Sequence, residues 1–257
     1  MNHSWIALGL AAALWASPAD PGQAPEKKDA TVGGNLLVEA AAGERQWTGV
    51  AVSAAGRVFV NFPRWGAQVP VSVGELGGGG NVVPYPNEEM NGWSAGDDPA
   101  KKFVCVQSVY VDRLDRLWIL DPASPMLRGV VARGPKLMRV DLSTDEVVET
   151  HIFDETVAPA RSYLNDVRID TRSGTAFITD SGLGAIVVVD LETGSARRVL
   201  EDHASTKAEK TTVTIDGRPI LLVVHCDGIA LDQDGGWLYY QALTGRTMYR
   251  VPVAALR

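Results

Sequence analysis

The stretch "VQSVYVDRLDRLWILD", Val106 to Asp121, decides the fold of this chain. A short alternating run, "SVYVD", meets the charged turn "RLD", and an apolar, aromatic run, "RLWILD", returns. Alternation with a period of two, broken by turn residues, is the pattern of a β-hairpin with one face against a core. The chain repeats it as "TGVAVSAAGRVFVNF", "LNDVRIDTRSGTAFITD" and "DGIALDQDGGWLYYQA". Aligned on their aromatics, Phe59, Trp118, Phe177 and Tyr239 fall 59, 59 and 62 residues apart. The residues that open the first strands, Thr48, Gln107, Asn165 and Asp227, fall 59, 58 and 62 apart. Agreement at both ends of the hairpin makes this an internal repeat, and a repeat of this length points to a propeller or a solenoid.

The rest of each unit separates the two. Third strands are legible in "PKLMRVDLSTDEVVE", "GAIVVVDLETGSARRVL" and "RTMYRVPVAAL", and "DLSTDEV" and "DLETGSA" turn into a fourth. No segment carries the 3.6-residue stripe that a helical solenoid requires. The fold class is therefore all-β: a β-propeller of four-stranded blades, with four blades visible and the last ending after its third strand. The preceding "NLLVEAAA" is a candidate closing strand for the last blade.

At 257 residues and 46% hydrophobic content, the chain can bury a substantial core. A formal charge of −7 argues against a phosphate-backbone binder, so no nucleic-acid partner is expected. The apolar run from Trp5 to Ala16 is too short to span a bilayer, and Ser17 and Ala19 suit signal-peptidase cleavage before Asp20. The division expected is a signal peptide over 1–19, a flexible leader over 20–34 and the propeller over 35–257. The protein is thus expected to be secreted or periplasmic, with no membrane association after cleavage. Cys105 and Cys226 sit in non-neighbouring units, and two cysteines do not make a disulfide framework. "GELGGGGN" lacks the Lys-Ser/Thr of a phosphate-binding loop and reads as a loop between blades, and Glu201 to Pro219 as a loop or hairpin over one face.

In a propeller the first strand of every blade lines the central channel, so the strand-opening residues converge on one mouth. Thr48, Gln107, Asn165, Asp166 and Asp227 are the candidate ligand-binding set, with Ser108 just inside. Such an oxygen-rich ring suits a polar ligand with donor groups, or a hard cation such as Ca²⁺ held by Asn165 and Asp227. The bland alternative is that these side chains cap strands or hold channel water. Asp121 and Asp180, at the exits of second strands, either add negative charge to the mouth or cap turns.

Together "WTGVAVSAAGRVFVNFPRW", "VPYPNEEMNGW", "FVCVQSVYVDRLDRLWILDPASP", "SYLNDVRIDTRSGTAFITDSGLGAIVVVDLETG" and "DGIALDQDGGWLYYQALTGRTMYRVP" carry a resemblance. The chain resembles the yellow/major royal jelly protein family in its bacterial branch. That resemblance implies a secreted six-bladed propeller, and hence about two further blades beyond the four visible. It also implies a small polar or amine-bearing ligand at the channel mouth and, if the protein is catalytic, dopachrome-type tautomerisation. More distantly, the chain is similar to the gluconolactonase/senescence-marker/luciferin-regenerating propellers. There a divalent cation is held by a first-blade Glu and by Asn and Asp residues matching Asn165 and Asp227. The first-blade Glu has no counterpart near Thr48-Gly49. That relationship implies a metal-dependent lactone hydrolase as the alternative, with a non-catalytic scaffold or an inactive gene fragment as a third. If the chain ends at Arg257, exposed blade edges are expected to promote self-association.

Overall fold

A computed structural model describes residues 39–257 and the backbone of two short strands before them, β1 (Thr31–Val32) and β2 (Asn35–Leu36). The expected signal peptide and most of the leader lie outside the described residues. Blade 1 is β3 (Gly49–Val52), β4 (Val58–Asn61), β5 (Val73–Leu76) and β6 (Val82–Pro84). Blade 2 is β7 (Ser108–Val111), β8 (Leu117–Asp121), β9 (Lys136–Asp141) and β10 (Glu146–Ile152). Blade 3 is β11 (Leu164–Asp170), β12 (Thr175–Asp180), β13 (Ala185–Asp190) and β14 (Ala196–Val199). A hairpin of β15 (Thr212–Ile215) and β16 (Arg218–Leu221) intervenes before blade 4, which is β17 (Cys226–Leu231), β18 (Trp237–Ala242) and β19 (Met248–Pro252).

Every sheet is an antiparallel meander, and the repeat read from the sequence is the blade. Two details differ from expectation. β2 pairs with β1, not with β19, so among the described residues blade 4 has three strands with β19 outermost. "GELGGGGN" lies inside blade 1: Val73–Leu76 is its third strand, and a tight glycine turn leads into the fourth. Gly79 and Gly80 there have φ of 76° and 79°, a region open to glycine at little cost.

The core is layered between blades, because alternate side chains of each sheet face its two neighbours. Ala51, Phe59, Val109 and Leu117 join blades 1 and 2. Trp118, Phe153, Leu164 and Val167 join blades 2 and 3, and Phe177, Ile186, Ile229 and Leu238 join blades 3 and 4. The Trp118 indole is buried between blades and donates at 2.8 Å to Asp112, so this large side chain leaves no polar atom unpaired.

At the exits of the second strands stand Asn61, Asp121 and Asp180, each fully buried. Asp121 accepts from the backbone N–H groups of Val104, Cys105 and Ala123 at 2.7–2.9 Å and pairs with buried Lys136 at 2.9 Å. Asp180 accepts from Tyr163 and Gly182 N–H and from Ser162 Oγ, and lies 2.8 Å from Arg198. Both carboxylates therefore fasten the segment that leads into the inner strand of their own blade instead of charging the channel mouth. Cys105 and Cys226 are buried free thiols.

Candidate functional site at the channel mouth

The strand-opening residues converge. A cavity of about 480 Å³ at the mouth is lined by Thr48, Gln107, Ser108, Asn165, Asp166 and Asp227, so all five candidate ligand-binding residues face one space. Trp47, Trp65, Tyr110 and Arg168 also line it, and sequence reasoning passed over these four. Trp47 precedes a strand-opening residue and Tyr110 lies in the first strand of its blade, so both are within reach of the repeat argument. Trp65 follows the second strand of blade 1, and nothing in its neighbourhood signals a channel residue.

Blades 3 and 4 contribute differently from blades 1 and 2. In blade 3 the pairing of β11 with β12 slips between Leu164 and Val167, and in blade 4 that of β17 with β18 slips between Cys226 and Ile229. Each slip is a β-bulge, which bends the strand and re-aims its side chains. Asn165, Asp166 and Asp227 occupy these bulges. Thr179 fills the gap between them: its hydroxyl accepts from Asp166 N–H at 3.2 Å and donates to the Asp227 carbonyl at 2.8 Å. In blades 1 and 2 the openings pair regularly, Thr48 N–H with the Asn61 carbonyl and Gln107 N–H with the Leu120 carbonyl.

Several of these polar groups are committed to protein partners. The Thr48 hydroxyl donates to the Gln107 carbonyl at 3.2 Å and accepts from the Asn61 amide at 2.7 Å. Gln107 accepts from the Tyr163 hydroxyl at 2.8 Å and donates to Asn165 Oδ1 at 3.1 Å. Asp166 accepts from Ser108 Oγ at 2.8 Å and from Arg168 at 3.0 Å, and Arg168 in turn lies over the Tyr110 ring, 5.2 Å from its centroid. Asp227 is the exception. Its side chain receives a hydrogen bond from Asn165, while burial, helped by the negative charge of Asp166, pushes its carboxyl up to about 6. It is the carboxyl in the cavity whose charge is least compensated.

His225, two residues away, accepts from the backbone N–H of Ala208 at 2.9 Å, and burial lowers its proton affinity. It does not line the cavity. The expected hairpin over one face is β15–β16, and none of its residues lines the cavity either. Among the described residues, no group of three or more His, Cys, Asp or Glu side chains is placed to hold a metal ion, and no helix is long and apolar enough to cross a membrane.

Relatives agree with this architecture. Major royal jelly protein 1 of Apis mellifera is 26% identical over 78% of this chain and 49% of its own length. A Drosophila melanogaster protein named dopaminechrome tautomerase is 28% identical over 44% of this chain and 26% of its own. The chain thus spans half or less of the length of these curated relatives. Two solved structures share the fold at 12% identity: an auxiliary nutrient binding protein from Bacteroides ovatus (TM-score 0.51, 85% of this chain, 47% of that one) and YCF48 bound to D1 peptide (0.50, 85% and 53%). The family profile described as "Major royal jelly protein" matches residues 104–257, and with blades, spacing and relatives in accord, the chain belongs to the yellow/major royal jelly protein family.

Proposed function

We propose that this propeller binds a small amine-bearing ligand at its channel mouth, with the ammonium on Asp227 and the apolar part against the aromatic wall. The observation that carries the reading is the under-compensated Asp227 carboxyl in a cavity of ligand size, faced by Trp47, Trp65 and Tyr110. A carboxylate supplies a partner for a cation, and an aromatic ligand body packed on aromatic faces adds about 0.5–1.5 kcal/mol per ring pair beyond its burial. Asp166 is already paired with Arg168, so it sets the sign of the local field more than it offers a contact. Titration calorimetry with 2-phenylethylamine tests this directly. Binding by the wild type and its loss in Asp227→Asn is expected; undiminished binding in the variant rejects the site.

The same carboxyl supports a second reading. A tautomerase of the kind named in the Drosophila relative moves a proton between two atoms of its substrate, with no net oxidation. A carboxyl that releases its proton near neutral pH suits that task. Divalent-cation binding, and with it a metal-dependent lactonase, is the weaker reading. The Asn165 oxygen already accepts from Gln107 and its amide nitrogen faces Asp227, which leaves a cation too few free oxygens. Calorimetry with Ca²⁺ and Zn²⁺ tests it, and binding that is lost in an Asn165→Ala, Asp227→Ala double variant would restore it. Export across a membrane, as the apolar run Trp5 to Ala16 suggests, completes the proposal.

A further inference from the structure

The line of hydrogen bonds that reaches Asp227 begins at Trp65, passes through three intervening side chains and runs in one direction. An indole N–H can only donate. Trp65 Nε1 donates to the Tyr163 hydroxyl at 2.6 Å, so the hydrogen of that hydroxyl must go elsewhere. Two acceptors are in reach. The Cys105 thiol is a poor one, because burial pushes its proton affinity up to about 12 and it stays protonated. The other is Gln107 Oε1, at 2.8 Å. With its oxygen engaged, Gln107 must turn its NH₂ to Asn165 Oδ1, at 3.1 Å. Asn165 then has only its own NH₂ to offer Asp227. One donor-only group at the head of the line therefore settles the orientation of two side-chain amides that are otherwise free to flip.

We propose that Tyr163, with Trp65 behind it, is a positioning residue that makes the channel mouth selective for a cation. Tyr163 is buried and does not line the cavity, so it acts only through Gln107 and Asn165. With the amides as they stand, Asn165 presents hydrogen to Asp227 and favours the ionised carboxylate that an ammonium needs. With both reversed, Asn165 would present its oxygen, and only a protonated, neutral Asp227 would be compatible. The remaining charged groups lining the cavity are Asp166 and Arg168, which pair with each other, and Cys226 is the buried neighbour behind. Among the described residues, Arg168 is the one cationic side chain lining the cavity.

This inference rests on the amine-binding reading, and the test keeps the two apart. In the full chain, Tyr163→Phe removes one hydroxyl and leaves the ring. Affinities for 2-phenylethylamine and for its uncharged isostere 2-phenylethanol are measured for wild type and variant. The expected result is a loss of about tenfold for the amine, with the alcohol changed by less than about twofold. The pH midpoint of amine binding should move upward as well. An unchanged ratio, or a parallel loss for both ligands, overturns the proposal. If the wild type binds no amine, the functional reading fails by itself. The relay is then judged by the ¹⁵N side-chain amide signals of Gln107 and Asn165, which must shift in Tyr163→Phe if it exists and stay put if it does not. If Tyr163→Phe does not fold, Trp65→Phe removes the head of the same line and is judged by the same charged-to-neutral ratio.

Discussion

Replacing Asp227 by asparagine is expected to stabilise the protein at neutral pH while abolishing its ligand binding. The carboxyl sits near its ordinary 3.8 in an unfolded chain and at about 6 in the folded one. One pH unit of such a difference corresponds to about 1.36 kcal/mol. Ionising Asp227 in the native state therefore costs on the order of 3 kcal/mol more than in the unfolded chain. A raised carboxyl weakens the fold as pH rises. Below 3.8 both states hold the proton and the penalty vanishes. Between 3.8 and about 6 the unfolded chain releases its proton first, and stability falls; above that range the whole penalty remains. Asparagine has the same shape, stays neutral and still offers an oxygen to Asn165. Urea unfolding of wild type and variant at about pH 3.5 and about pH 8 isolates this term. The variant should gain on the order of 3 kcal/mol relative to wild type between the two conditions, or roughly 6–12 °C in Tm for a chain of this size. A stability difference that is the same at both pH values would refute the account of why Asp227 is poised near neutrality. Asp166→Asn should produce part of the same gain by removing the neighbouring charge, without touching Asp227 itself.

Other outcomes test the frame around the site. Lys136→Met strands the fully buried Asp121 and should cost about 3–5 kcal/mol, whereas joint replacement of both by apolar residues should cost far less. Gly49→Ala would place a methyl 2.3 Å from Asn61 Oδ1, forcing the amide off Thr48 and Val106; a loss of about 1–3 kcal/mol in chemical unfolding is expected. Cys105 and Cys226 should resist thiol reagents until the protein unfolds, because burial both shields them and keeps them protonated. Val50 and Val52 are 67% and 55% exposed on the face of blade 1 turned away from blade 2. Changing both to threonine should reduce any concentration-dependent self-association seen by sedimentation.

How far the sequence carried this picture follows from where each contact is made. The blade repeat was legible because it is local. Alternation, turn chemistry and an aromatic at a fixed offset all lie within one hairpin, as in "SVYVDRLDRLWILD". Convergence of Thr48, Gln107, Asn165, Asp166 and Asp227 followed from the architecture alone. Most of their commitments did not, because they depend on neighbours 13 to 59 residues away, such as Asn61 and Gln107 on Thr48. Asp121 and Asp180 share the same composition signal as Asp227, yet each meets buried backbone N–H groups and a basic side chain. No property of the local sequence tells a fastening carboxylate from one that faces the cavity. The bulges were half visible: "ND" and "DG" at a strand opening break alternation, but only the pairing partner shows which side chains turn inward.

The bulges also give the mouth a handedness. Blades 3 and 4 turn both carboxyl groups inward, whereas the two before them add indoles and the aliphatic Val50 and Val109 to Thr48, Gln107 and Ser108, so the two sides of the cavity are chemically unlike. A guest with a polar head and an apolar tail is thereby laid across the channel in one direction. Should a stereocentre lie between head and tail, its third substituent points up to solvent in one enantiomer and down into the channel in the other. A pair of mirror-image amines, identical in every bulk property, should therefore bind with unequal strength.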